Sequence, residues 1–155
     1  MTTEQIMELE FESLKNDLIK EYDALGMRAS GKFADELVVE VGVDNVKLIG
    51  EKYAEQLEYG RRGGKFPPIQ MIKQWIKDKG IVSNIKNDND NSSLAFLIAR
   101  KISKQGWKRQ GYGGVELISK VVTDKRMQDI INKVGAELTL TFVNRLENEF
   151  KQIAV

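Results

Sequence analysis

The sequence predicts an α+β fold: a small antiparallel curved sheet flanked by helices, with long helices at both ends of the chain. Three observations predict it. Met7, Phe11, Leu14, Leu18, Tyr22 and Leu25 recur at spacings of three and four near the start, as on one face of a helix. The same period returns from Met127 to Ile153. Between them, residues 36–50 alternate apolar and polar with the period of two that strands require. At 155 residues the chain is expected to form one domain, 1–155, with its own core.

Taken in order, residues 4–25 read as the first helix, with Thr2 or Thr3 as cap, Glu4, Glu8 and Glu10 near the positive end of its dipole, and Gly26 as its stop. Residues 27–35 read as a connection. In 36–50, Leu37, Val39 and Val41 alternate with Val38 and Glu40, and Val46 and Leu48 with Lys47 and Ile49, around a turn at 42–45. Two strands alone are rarely stable in water, so a helix or another subunit must cover or extend this hairpin.

Tyr53, Ala54, Leu57 and Tyr59 read as a short helical or irregular turn, broken by Gly60, Gly63 and Gly64. Pro67-Pro68 starts a helix in which Ile69, Ile72 and Ile76 form a stripe flanked by Met71 and Trp75, ending at Gly80. Residues 82–93 read as a polar loop. Ser92 or Ser93 is expected to cap the next helix, which carries Leu94, Ile98 and Ile102 and stops at Gly106. Val115, Ile118, Val121 and Val122 suggest a short helix. The last periodic segment would be about 43 Å long as one helix. Gly135 and the β-branched run 139–143 weaken it, so a kink or an intervening strand is expected there.

Composition narrows function. The chain has no histidine and no cysteine, which removes the commonest general base, the commonest metal ligand and every thiolate nucleophile. Formal net charge is +1, so nucleic-acid contact must come from local clustering. No apolar run approaches the roughly 20 residues of a membrane span, and the acidic amphipathic start is not a secretory signal. The expectation is a non-enzymatic protein with no cofactor, no metal and no membrane partner.

Two segments carry candidate interaction residues. Gly60-Arg61-Arg62-Gly63-Gly64-Lys65 lacks the Gly-Lys-Ser/Thr of a phosphate-binding loop and reads as a basic tongue, with Phe66 at its end, for a partner subunit or a nucleic-acid backbone. Trp107, Lys108 and Arg109, with Tyr112, offer a second stacking-plus-cation surface, although a Trp just past a helix stop more often plugs a core. Asp88 to Ser92 fails as a calcium loop, because Ser93 and Ala99 stand where glycine and glutamate are needed. The pairs Glu8/Glu10 and Glu147/Glu149 read as solvated helix faces.

The order of these features resembles the tail-completion or minor tail-component proteins of tailed bacteriophages, encoded beside the head–tail joining proteins. The residues that carry the resemblance are Ala29-Ser30-Gly31 before the first strand, Tyr53-Ala54 followed by Glu58-Tyr59-Gly60, the Pro-led helix with Trp75 and Lys79-Gly80, and the helix with Ala95, Ile98, Ala99 and Ile102 ending at Gly106. The resemblance spans roughly residues 28–122. Ser30-Gly31 stands where many members carry a proline followed by Thr-Gly, and the C-terminal helix is longer than the family leads one to expect.

The resemblance implies a homo-oligomeric ring at the virion neck, between portal and tail, assembled in the bacterial host cytoplasm. Its implied partners are copies of itself and other neck, tail or portal proteins, with DNA contact in the lumen. Arg61, Arg62, Lys65 and Phe66 are expected on a loop that orders on contact with a neighbour. The alternative is a small DNA-binding accessory protein that uses the two glycine, arginine and aromatic loops.

Overall fold

The computed structural model describes residues 1–43, 45–82, 85–86, 90–107 and 114–153. The elements are α1 (Thr3–Ala24), α2 (Lys32–Asp35), β1 (Val38–Val41), β2 (Val46–Ile49), α3 (Ala54–Tyr59), α4 (Ile69–Asp78), α5 (Ser92–Gln105), α6 (Leu117–Val121) and α7 (Asp124–Ile153). This is an α+β fold with one small antiparallel sheet and long terminal helices.

Local chemistry explains the ends of α1. Thr2 accepts from the Gln5 amide while the Gln5 side chain accepts from the Thr2 amide, a reciprocal capping box. At the other end the Gly26 and Met27 amides donate to Asp23 and Tyr22, closing the last turn. The buried face of α1 is Leu14, Leu18 and Tyr22.

The hairpin pairs Val38 with Ile49, Val39 with Leu48, Glu40 with Lys47 and Val41 with Val46. It packs on α1, so a helix supplies the cover that two strands need. Residues 27–35, expected as a plain connection, contain the one-turn helix α2, which buries Phe33. Phe33 stacks on Tyr22 with centroids 4.2 Å apart and meets Tyr53 at 6.0 Å. This aromatic trio joins Leu18, Leu37, Leu57, Val115 and Leu117 in the larger core.

A second, smaller core lies between α4 and α5. It consists of Ile72, Ile76, Ala95 and Ala99, with Ile76 and both alanines fully buried. The Ile69–Ile72–Ile76 stripe therefore faces α5. Neither Ser92 nor Ser93 caps α5. The cap is Asn91 in the left-handed region, without a side-chain cap bond, and the Asp90 carboxylate accepts from the Ser92 amide at 3.0 Å.

The chain after α6 corrects a second expectation. Residues 124–153 form one unbroken 30-residue helix, with no strand or break at 139–143. Arg126 donates to Ser13 at 2.8 Å and lies 3.3 Å from Asp17, and Lys133 pairs with Glu10. As α7 advances, its partners on α1 recede, so the two helices are antiparallel. Leu140 is level with Met1 and Ile6 across a shallow groove. The final residues, 141–153, thus extend about 20 Å past the start of α1.

Candidate docking surface

The tongue between α3 and α4 was expected to be mobile, but its backbone is fastened. The Arg61 amide donates to Trp107 O at 2.9 Å, and the Trp107 amide donates back to Arg61 O at 2.7 Å. The Gly64 amide donates to Ser103 O at 2.7 Å, and the Ser103 hydroxyl donates to Gly64 O at 2.9 Å. The Arg61 guanidinium donates to Lys65 O at 3.1 Å, across the tongue.

Such close approach demands glycine. A Cβ on Gly106, at φ +74°, would fall 2.1 Å from Arg61 O. One on Gly114 would fall 2.0 Å from Leu57 O. Side chains at either position would force two strands of backbone apart.

The fastening brings the two candidate loops together through Arg61 and Trp107. Trp107 is partly buried and packs on the larger core, so it plugs the fold as well as pairing with the tongue. Arg62, Lys65 and Phe66 are exposed, and Phe66 meets Phe96 of α5 with centroids 5.7 Å apart. Lys108, Arg109 and Tyr112 lie outside the described residues.

Since the tongue is bonded to the last turn of α5, its cations adjoin those of that helix. Arg100, Lys101 and Lys104 are exposed on the side of α5 opposite Ala95 and Ala99. Sequence reading missed these three as site residues, because the period of α5 marks only the buried face. Read together, residues 61–109 hold 12 of the chain's 24 Lys and Arg but only 3 of its 23 Asp and Glu. A near-neutral chain is therefore strongly divided.

Ion pairing divides the same way. Outside this segment Lys15, Arg28, Lys32, Lys120, Arg126, Lys133 and Arg145 all have carboxylate partners. Within it, among the described residues, Lys73 alone is ion-paired, with Asp90 at 2.9 Å. Hydrogen bonds from Lys73 and then Ser92 hold the Asp90 carboxyl well below the usual carboxylate range. Arg62, Lys65, Lys77, Arg100, Lys101 and Lys104 have no acidic partner among the described residues.

A second surface is apolar. Ile131, Leu138, Leu140, Phe142, Val143, Phe150 and Ile153 of α7 are all exposed, Phe142 to 62% and Ile153 to 79%. Of the stripe that the sequence period marks, Met127, Val134 and Leu146 are partly buried, whereas Ile131, Leu138, Phe142, Phe150 and Ile153 face outward. The buried residue of α7 is Ile130.

Among the described residues no group of three or more acidic side chains is placed to hold a metal ion, and no described helix is long and apolar enough to cross a membrane. Glu58 is buried, but its carboxylate is occupied. It accepts from the Ile118 amide at 2.7 Å, from the Ser119 amide at 3.2 Å and from the Ser119 hydroxyl, and so closes the start of α6. Comparison with known protein families, with curated proteins and with solved structures finds no match to this chain.

Proposed function

We propose that this chain is a non-enzymatic virion structural protein of the tailed-phage neck, a tail-completion or head–tail connector subunit that assembles into a homo-oligomeric ring. The observation that carries the reading is the uncovered apolar face of α7. Exposed apolar patches beyond a few hundred Å² mark interaction sites, and six large apolar side chains of α7 (Ile131, Leu138, Phe142, Val143, Phe150 and Ile153) lie exposed on the side turned from α1. A helix that runs about 20 Å past the start of α1, the element it packs along, is a surface built for a neighbour. The motif order from Ala29-Ser30-Gly31 to Gly106 supports the phage assignment.

Mass measurement and negative-stain imaging of the purified protein test the reading. Rings of uniform copy number are expected, and the protein should be a component of intact virions. A monomer at every concentration, or a chain that no phage particle contains, overturns it.

One observation favours a second reading, a DNA-binding accessory protein: the unpaired cations of the tongue and α5. Its signature is binding of duplex or single strand by a monomer, with affinity falling steeply as salt rises.

A further inference from the structure

The division of charge has a direction. The Lys79 ammonium donates to the Gly26 carbonyl just beyond α1, so the basic α4–α5 segment abuts the C-terminal end of that helix. The opposite end is acidic: Glu4, Glu8, Glu10 and Glu12 precede its first cation, Lys15. Glu10 and Glu12 are matched by Lys133 and Lys15. Glu4 and Glu8 are exposed and have no ion-pair partner among the described residues. With 22 residues, α1 separates these ends by about 33 Å, several times the screening length at physiological salt. One copy cannot neutralise its own two ends.

We propose that the chain associates head to tail, the basic face of α5 and the tongue (Arg62, Lys65, Arg100, Lys101, Lys104) docking on the acidic start of α1 (Glu4, Glu8) in a second copy. The inference rests on the ring reading and names its contact. Unlike patches joined in this way form a heterologous interface, which closes into a ring when the rotation between copies permits. The occupant is a second copy rather than nucleic acid because the counter-charge is present in the same molecule. Outside 61–109 lie 20 of the 23 Asp and Glu but only 12 of the 24 Lys and Arg, so the rest of a second copy carries the complementary net charge.

The experiment uses the full chain and compares four proteins by light scattering at low and high salt, with circular dichroism as the fold control. These are the wild type, the basic-face reversal Arg100→Glu/Lys101→Glu/Lys104→Glu, the acidic-end reversal Glu4→Lys/Glu8→Lys, and both reversals in one chain. The wild type should assemble at low salt and dissociate as salt rises. Each single-sided reversal should weaken association by about tenfold or more, given the like-charge juxtaposition it creates. The combined variant should recover assembly, a result that misfolding does not produce.

Folded single-sided variants that assemble as the wild type does, or a folded combined variant that stays monomeric, overturn the charge contact. In the first case rings persist and the ring reading stands. A wild type monomeric in all salt overturns both. If that monomer instead binds labelled duplex with a steep salt slope, the basic face belongs to nucleic acid.

Discussion

Arg61 and Trp107 hold each other through two reciprocal backbone hydrogen bonds, 2.9 and 2.7 Å long, while the side chains of neighbouring Arg62 and Lys65 are left exposed. Position in this tongue is thus set by main chain, and charge is carried by side chains that the fold does not need. Arg62→Glu/Lys65→Glu should change the unfolding free energy by no more than about 0.5 kcal/mol, as surface substitutions do. The same variant should lose assembly. Denaturation and light scattering on one sample separate the two effects.

Gly106 is the tightest point of that fastening. Gly106→Ala meets both a left-handed φ of +74° and the Arg61 carbonyl at 2.1 Å. The cost should be about 3 kcal/mol or more, left-handed strain plus a separated backbone pair. Gly135→Ala is the control: a helical glycine with open space around it, where alanine should stabilise by about 1 kcal/mol. Chemical denaturation of the pair gives opposite signs.

Glu58 satisfies two amides and a hydroxyl at the start of α6. Glu58→Ala should cost about 2–3 kcal/mol, since it orphans donors held by a charged acceptor. Glu58→Gln keeps one acceptor oxygen and should cost less. Loss of amide protection at Ile118 and Ser119, read by exchange, would tie the effect to this cap.

Tyr53 gives an alkaline prediction. Burial first, then hydrogen bonding with Tyr22, pushes its phenol well above the ordinary tyrosine range. A raised folded-state value means that the contribution is fully present below about pH 10, where both states hold the proton. It is lost as pH rises through the unfolded value, because only the unfolded chain then ionises. The urea midpoint of the wild type should fall between pH 7 and about pH 11, and that of Tyr53→Phe should fall less. Equal falls would remove Tyr53 as a cause.

Phe142 tests the apolar face of α7. It is 62% exposed, so Phe142→Glu should leave the midpoint within about 0.5 kcal/mol. If α7 is an assembly surface, the same change should abolish the oligomer seen by sedimentation. A ring unchanged by it would place this helix away from every contact.

Much of the fold could be read from periodicity, because burial and spacing coincide where an element has one buried face. Leu14, Leu18 and Tyr22 of α1, and Ile72 and Ile76 of α4, are buried as their spacing demands. The alternation in 36–50 places the hairpin within two residues of its observed strands. Where the reading failed, a nonlocal effect decided. The β-branched run 139–143 argued against helix, yet these residues continue a helix already nucleated and paired at Arg126 and Lys133. The stop of a mobile tongue at Gly60–Gly64 is invisible in sequence, because its partners, Ser103 and Trp107, are some forty residues away. The cations of α5 gain meaning only when that pairing sets them beside Arg62 and Lys65.

The two separate cores described above carry a consequence for motion. The larger cluster is built on three aromatic rings and long aliphatic side chains, whereas the smaller buries two isoleucines and two alanines under the partly buried Ile69, Leu94, Ile98 and Ile102. Few apolar contacts mean a low free energy of local opening. The α4–α5 pair should therefore open before the larger core does, and hydrogen exchange should find its amide protons lost before those of Leu18 or Leu117. A docking element that yields before its foundation can adjust to a neighbour without unfolding the subunit that bears it.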